Sequence, residues 1–357
     1  MHRLLNIILI LALFLPFSPK TCLAASPGLI VLIVVDGLPA ETLESFIRKN
    51  PDSTLSRLKE SSAYFPGAHH ASSVTMTAPG HTNIVTGNYA WRHGIVNNWL
   101  PDPETLEIES IFADSAYPIL NPPGYSGSNN TEKGVSPEKI MLPSLGDFIK
   151  EKYPDANVFS VSAKDRAAVP LAGKKGIAFF YSKDVNGFVT SEYYLKQYPD
   201  WWADFVQSNP VPSKADPDTR DLLASGLAVR LIKEYWMGFR ESTTDLLLIS
   251  FSSLDKSHHR YGRESKQAAD SLLKIDADIE RVLEAANAMR GVGNVLTILT
   301  SDHGFLKQNE KTSYFFGEKT EEKINQYLKK NQPEEIRLKW LGPYLYFHRS
   351  AGRHFKE

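Results

Sequence analysis

The stretch GLIVLIVVDG, from Gly28 to Gly37, decides the fold class. It is a continuous apolar run rich in β-branched residues, and it ends in Asp36-Gly37. Such a run predicts a strand buried on both faces, as found in parallel sheets that are covered by helices on both sides. The next segment, ETLESFIRKN, has the pattern of a helix. The chain therefore opens with a strand followed by a helix.

The same alternation recurs along the chain. Three further helix-then-strand pairs are SLGDFIKEKYP with NVFSVSAKDR, TRDLLASGLAVRLIKEYWMG with DLLLISFSSLD, and SKQAADSLLKIDADIERVLEAANAMRG with NVLTILTSDHG. Alternating helices and apolar strands predict an α/β fold with an open, doubly wound, mostly parallel sheet. In such sheets ligands bind beyond the carboxyl ends of the strands.

Two regions interrupt this alternation. Residues from about 167 to 217 are rich in aromatics, and we predict a cap insertion there. The tail from about 305 to 357 is predicted to form an incomplete second insertion. With a leader at 1–25, the main domain is expected to span 26–357.

The N-terminal segment MHRLLNIILILALFLPFSPKTCLAAS has the pattern of a secretory signal peptide. An apolar run from Leu4 to Phe17 is followed by small residues at Ala24 and Ala25, and it is short for a membrane span. Cleavage there would remove Cys22, the only cysteine. We therefore expect a periplasmic or secreted protein without disulfides and, after cleavage, without a membrane partner. The alternative is an uncleaved N-terminal anchor.

The charge balance argues against a nucleic-acid partner. The chain has 40 Lys and Arg residues and 41 Asp and Glu residues, and the predicted leader contains Arg3 and Lys20, so the mature net charge is 38 − 41 = −3. Binding to nucleic acid requires a basic face.

Polar groups capable of binding metal or phosphate follow every predicted core strand. Each alone is ambiguous, because Asp-Gly is also a turn signal. Together they would meet at one edge of the sheet, where oxygen and imidazole ligands suit a pair of zinc ions. A helical turn would also bring Asp255 and His259 to one side. In chain order the strand-end residues are Asp36, Lys164, Arg166, Asp255, Asp302 and His303.

The stretch SSVTMTAPGHTNIVTG, from Ser72 to Gly87, places several hydroxyl groups before a predicted helix. Thr77 directly precedes Ala78-Pro79, so we predict that it is the N-cap residue, with its oxygen at the positive end of the helix. That position favours Thr77 as a nucleophile. The alternative is a plain helix cap without chemistry. We expect Ser72, Ser73 and Thr75 to be structural.

Six motifs occur in the order of one known family: IVVDG, TAPGHTNIVTG, HGIVNN, SAKDR, SFSSLDKSHH and TSDHG. Between Leu29 and Gly304 the chain resembles the alkaline phosphatase superfamily, in its branch of type I phosphodiesterases and nucleotide pyrophosphatases. Within that branch it is most similar to bacterial alkaline phosphatases that carry a Lys/Arg pair.

The resemblance implies zinc-dependent hydrolysis of small-molecule phosphate esters, with Thr77 as the nucleophile that becomes a phosphothreonine. It implies two zinc ions. One would be held by Asp36, Thr77, Asp302 and His303. The other would be held by Asp255 and His259. The implied substrate-binding residues are Asn98, Lys164 and Arg166.

Two points leave alternatives open. The Lys164/Arg166 pair suits the dianion of a phosphate monoester, but a phosphodiesterase or nucleotide pyrophosphatase remains the alternative. The family also places a further zinc-binding His in a Gly-Thr/Ser-x-His-Gly setting, which His348 and His354, the histidines after His303, both lack. We therefore interpret the chain as shortened, and a non-catalytic remnant that binds zinc or a phosphate ester is the other alternative.

Overall fold

The computed structural model describes residues 26–123, 133–290, 293–307, 317–331, 336–342 and 344–348. The predicted signal peptide and His354 lie outside these residues, so the export prediction stays a prediction. Within the described ranges no helix combines the length and the apolar character needed to cross a membrane.

Within the described residues, seven strands form one central sheet and four further strands form two small pairs. They are β1 (Leu29–Val35), β2 (Trp99–Pro101), β3 (Ile108–Ser110), β4 (Ile119–Leu120), β5 (Val158–Ser162), β6 (Ile177–Ser182), β7 (Gly187–Ser191), β8 (Asp245–Phe251), β9 (Val295–Thr300), β10 (Leu338–Leu341) and β11 (Tyr344–Phe347).

The helices lie between and after these strands. They are α1 (Ala40–Lys49), α2 (Thr54–Glu60), α3 (Thr77–Thr86), α4 (Ala90–His93), α5 (Leu145–Lys152), α6 (Asp165–Ala172), α7 (Trp202–Ser208), α8 (Pro217–Glu234), α9 (Ser253–Tyr261), α10 (Lys266–Arg290) and α11 (Gly317–Asn331).

The central sheet is mostly parallel, which confirms the predicted fold class. Its strand order is β4-β7-β6-β5-β8-β1-β9. Strands β6, β5, β8, β1 and β9 pair in parallel, whereas β7 and β4 add an antiparallel edge. The pairs β2–β3 and β10–β11 are antiparallel and separate from this sheet.

Strand β1 lies between β8 and β9. Its apolar side chains are buried on both faces of the sheet, as the sequence predicted. Its register aligns Val35 with Phe251 of β8 and Val34 with Thr300 of β9. The three strands therefore end at the same edge of the sheet. Residues that follow them along the chain, Asp36 among them, are brought together there.

Helices α8 and α10 cover one face of the sheet. Their fully buried residues include Leu227, Leu231, Ile275 and Ile279, which belong to the same apolar core as β1. Each large aliphatic side chain buried in this way contributes roughly 1.5–3 kcal/mol to the free energy of folding. This packing fixes the position of α8 against the sheet.

The regions predicted as insertions contribute in different ways. Residues 177–191 supply β6 and β7 to the central sheet, and the aromatic side chains that follow form core. Trp202 stacks on Phe179 with ring centroids 5.1 Å apart and is fully buried. The described part of the tail forms α11 and the β10–β11 hairpin. The division of the chain into a main domain and insertions stays a prediction.

Candidate functional site

Asp36 and Asp302 lie directly beyond β1 and β9, where the strand register brings them together. Both are buried, and the amide of Gly37 donates a hydrogen bond to Asp302 Oδ1 at 3.1 Å. Gly37 has a φ of +72°, a conformation that favours glycine, and this lets the chain turn sharply after Asp36. A backbone contact thus fixes the spacing of the two carboxylates.

Three acceptor atoms face one another in this group. His303 Nε2 lies 3.4 Å from Asp36 Oδ1 and 3.5 Å from Asp302 Oδ2. Those two carboxylate oxygens are buried without a hydrogen-bond partner. His303 Nδ1 lies 2.9 Å from the carbonyl oxygen of Gly304, which favours a proton on Nδ1 and a lone pair on Nε2. Asp36, Asp302 and His303 therefore suit a divalent cation, and they form such a group within 4.8 Å.

The pKa of Asp36 and the pKa of Asp302 shift in opposite directions. Burial, followed by the neighbouring Asp302, raises the pKa of Asp36. Burial would also raise the pKa of Asp302, but His81, His303 and the amide of Gly37 outweigh it and hold that pKa at about 2. The cluster thus concentrates negative charge in a dry environment, which a bound cation would stabilise.

Lys164 joins this cluster to a third carboxylate. Its Nζ lies 2.6 Å from Asp36 Oδ2 and 2.8 Å from Asp255 Oδ2, and it is almost completely buried. Burial would lower the pKa of Lys164, but Asp36 and Asp255 raise it overall, so the ammonium form is favoured. Lys164 bridges the carboxylates of both candidate metal groups.

Thr77 begins α3, so Met76 and not Thr77 is the N-cap residue, contrary to our expectation. The reason is that the extended backbone ends at Met76 (φ −133°, ψ 154°), and the Thr77 hydroxyl donates to Asp36 Oδ2 at 3.4 Å. Thr77 still lies at the positive end of the helix. The side chain predicted as the nucleophile therefore contacts the candidate metal group directly.

Asn98 caps α3 in place of Thr77. Its Oδ1 accepts a hydrogen bond from the amide of Ala78 at 2.8 Å, and the residue is buried. This bond fixes the orientation of the amide group, because the oxygen is already engaged. The Nδ2 group is then the one that can donate to a ligand beside Thr77.

Arg166 lies in the first turn of α6, which begins at Asp165. We expected an extended segment through Lys164 and Arg166, and that expectation was wrong because the helix starts between them. The Arg166 guanidinium lies 5.2 Å from the ring of Trp99, next to Asn98 in the chain. Its Nε is buried without a hydrogen-bond partner. The guanidinium is thus held beside the loop that carries Asn98.

Asp255 and His259 share one side of α9, as the sequence predicted. His259 Nε2 lies 3.3 Å from Asp255 Oδ1. Burial would raise the pKa of Asp255, but His259 and Lys164 lower it well below its usual range. The imidazole of His259 is mostly exposed, at 64 % of its side-chain surface. The pair thus offers one buried carboxylate ligand and one imidazole ligand that is open to solvent.

His81 is a site residue that the sequence analysis missed. It is fully buried, with Nδ1 2.8 Å from the carbonyl oxygen of Thr77 and 3.3 Å from Asp302 Oδ2. Its Nε2 lies 2.8 Å from Ser250 Oγ on β8. His81 therefore connects the Thr77 helix, the Asp302 loop and the sheet. Its position four residues after Thr77, on the same helix face, was the available signal.

Gly80 lets α3 approach the Asp302 loop closely. A Cβ atom at this position would lie 2.6 Å from the Asp302 carbonyl oxygen and 2.9 Å from Asp302 Cβ. Both distances are too short for contact between non-bonded atoms. Any side chain at position 80 would push Thr77 and Asp302 apart.

Comparison with known proteins relates this site to one family. The family model for type I phosphodiesterase / nucleotide pyrophosphatase matches residues 30–357. Among curated proteins, the alkaline phosphatase PafA of Elizabethkingia meningoseptica is 25% identical over 87% of this chain and 67% of its own length. The alkaline phosphatase PhoV of Synechococcus elongatus is 25% identical over 80% of this chain and 60% of its own length. The chain thus spans about half to two thirds of the relatives it matches.

Solved structures confirm the fold. The crystal structure of PafA superposes with a TM-score of 0.81 at 22% identity and covers 92% of this chain and 74% of that chain. A phosphonoacetate hydrolase from Sinorhizobium meliloti has a TM-score of 0.56 at 17% identity, covering 89% of this chain and 66% of that chain.

Replacing Gly80 with alanine should disrupt the site without a general loss of helix stability. The added Cβ meets the Asp302 backbone, so we expect Gly80→Ala to lower the affinity for divalent metal by roughly 10- to 100-fold. Gly226→Ala in α8 is the matched control, because its Cβ would meet only Asn209 Oδ1 at 3.7 Å. Metal retained after dialysis measures the effect. Equal retention in both variants would contradict the assigned close approach.

Proposed function

The chain belongs to the type I phosphodiesterase / nucleotide pyrophosphatase family, and on that premise we propose that it hydrolyses phosphate monoesters, with zinc, through a phosphothreonine intermediate. One observation carries the proposal. The Thr77 hydroxyl lies at the start of α3 and 3.4 Å from Asp36, a member of the Asp36, Asp302 and His303 group. A nucleophile and a group suited to a cation are thus in direct contact.

In this proposal Asp36, Asp302 and His303, with Thr77, hold one zinc ion, and Asp255 and His259 hold a second. The unpartnered oxygens of Asp36 and Asp302 support the first assignment. When bound, zinc would act as a Lewis acid that lowers the pKa of the Thr77 hydroxyl and neutralises charge on the phosphoryl group.

The reaction has two displacements at phosphorus. In the first, Thr77 Oγ1 forms a bond to phosphorus, the bond to the ester oxygen breaks, and the alcohol leaves with a proton. In the second, a water oxygen attacks the phosphothreonine, the bond to Thr77 Oγ1 breaks, and phosphate is released. The positive end of α3 favours both the threonine alkoxide and the phosphoryl dianion.

Binding of the phosphoryl group falls to Asn98, Lys164 and Arg166. Phosphoryl transfer passes through a loose transition state, so positioning and charge neutralisation supply most of the catalysis. The proposed donors are Asn98 Nδ2, beside the start of α3, and the Arg166 guanidinium, which lies against Trp99. Lys164, held by Asp36 and Asp255, contributes positive charge between the two carboxylates.

The two extra cations favour a monoester over a diester. A monoester dianion carries three non-bridging oxygens in the transition state, whereas a diester carries a second organic group that needs an apolar slot. Diester or nucleotide pyrophosphate hydrolysis is therefore the second candidate, and relative rates on the two substrate classes decide between them.

We further propose export to the periplasm or the medium, on the N-terminal sequence pattern.

Thr77→Ala tests the nucleophile. Loss of the only group that forms the covalent intermediate should lower monoester turnover by more than about 1,000-fold. Thr75→Ala is the matched control, because Thr75 is an exposed threonine two residues earlier. Turnover of a chromogenic phosphate monoester measures both. Similar losses in the two variants would rule out Thr77 as the nucleophile.

Arg166→Ala tests the choice of substrate. Lys164 is a less clean target because it also balances two carboxylates. A charge-assisted hydrogen bond is worth roughly 1.5–3 kcal/mol, so monoester turnover should fall by roughly 10- to 150-fold, and diester turnover much less. A parent protein that already hydrolyses diesters faster than monoesters would instead support the second candidate.

Zinc content, measured beside activity, tests whether the second metal group is complete. The first group offers three strong ligands and Thr77, while Asp255 and His259 offer two, so we expect about one tightly held zinc per chain and a weaker second ion. Elemental analysis after dialysis, run beside a monoester assay, measures this. Two tightly held ions with full activity would mean that a further ligand completes the second group, and substitution of His348 and of His354 would identify it.

A further inference from the structure

The start of α9 is held by a carboxylate from another helix. Ser252 is the N-cap residue of α9, yet its own side chain makes no capping bond. Instead, Asp221 of α8 accepts the amide of Ser252 at 2.9 Å and 2.8 Å and the amide of Ser253 at 2.7 Å. Two backbone donors that the helix cannot satisfy internally are thus bound by one distant side chain.

Asp221 is fixed more firmly than a surface cap. It is 1 % exposed and lies on α8, which packs into the main core. Burial raises the pKa of Asp221 to about 7, although the amides of Ser252 and Ser253 oppose this rise. A carboxylate is costly to bury, so its interactions with the helix must offset that cost.

The helix that Asp221 holds carries the whole second metal group. β8 ends at Phe251 and α9 begins at Ser253, so a single residue joins strand to helix. Asp255 lies in the first turn and His259 one turn later, so both ligand positions follow from how the helix starts. Space around Asp255 is tight, because a Cβ on Gly37 would lie 3.2 Å from Asp255 Cβ.

We propose that Asp221 is a positioning residue for the second metal group: by binding the amides of Ser252 and Ser253, it sets the placement of Asp255 and His259. This inference rests on the proposed function, since it assumes that these two residues bind zinc. Asp221 itself is not one of the proposed zinc ligands or substrate-binding residues.

The chain offers a matched control for this inference. Asp276 of α10 is also buried, and it accepts the amides of Thr54 at 3.0 Å and Leu55 at 2.7 Å at the start of α2. α2 carries no candidate site residue. Removing Asp276 therefore removes the same kind of interaction from a helix unrelated to the site.

The experiment is a zinc titration of the full chain by calorimetry. The second-site step is identified as the one abolished by His259→Ala. Asp221→Ala should weaken that step by roughly 10- to 100-fold, as loss of a group that supports a metal ligand does, while Asp276→Ala should change it by less than about threefold. Asp221→Asn keeps one acceptor oxygen and should fall between the parent and Asp221→Ala.

Hydrogen exchange of the metal-free protein gives a second, independent readout. Asp221→Ala should speed amide exchange at the start of α9, and Asp276→Ala should do so at the start of α2. If Asp221→Ala does not fold, Asp221→Asn carries both comparisons, with a loss of about threefold or more in second-site affinity.

The outcomes of these experiments distinguish the role inferred for Asp221 from the proposed function. Equal second-site affinity in the Asp221 and Asp276 variants would overturn the inference and leave the proposed function standing. A parent protein without a His259-dependent zinc step would overturn the inference together with the proposed second metal group.

Discussion

Burying carboxylates side by side is the constraint on which the rest of this structure depends. Asp36, Asp255 and Asp302 lie beyond the ends of three neighbouring strands, and all three are buried. Like charges repel strongly in a dry interior, so this edge of the sheet needs cations. Lys164 supplies one positive charge between two of the carboxylates. A proton or a metal ion must supply the next, and the acceptor atoms around His303 define where it binds.

The same constraint explains how the site helices are held. A cluster of ligands works only if its members cannot drift, and local sequence offers weak control over where a helix starts. Asn98 accepts the amide of Ala78 in the first turn of α3, and Asp221 accepts the amides of Ser252 and Ser253 at the start of α9. In both cases a buried side chain distant in the sequence fixes a helix that carries site residues. Placement of the site is therefore a property of the packed domain.

Sequence patterns predicted the fold and the meeting of Asp36, Asp302 and His303 at one edge of the sheet. The apolar run of β1 predicted a strand buried on both faces, which placed Asp36 just beyond the end of that strand. The start of α3 was predicted one residue late, because Met76 is the extended N-cap residue and the helix begins at Thr77 itself. Lys164 and Arg166 were assigned to an extended segment because SAKDR contains no clear signal for a helix that begins at Asp165.

Other features were beyond a local reading. The roles of His81 and Asp221 depend on contacts with Asp302 and with the start of α9, which no local pattern contains. Likewise, no local pattern shows that β6 and β7, which follow Ala167, pair within the central sheet. Pairing partners that are distant in sequence decide such features.

The strand order also governs how the protein is made. β1 leaves the ribosome first, but both of its neighbours, β8 and β9, are synthesised much later. The contact between Gly37 and Asp302 spans 265 residues. Until β8 emerges, the nascent chain carries an unpaired apolar strand that is prone to aggregate, and until Asp302 and His303 emerge the candidate metal group is incomplete. A cation could thus be bound by the Asp36, Asp302 and His303 group only in the last stage of folding, after nearly all of the described chain has been synthesised.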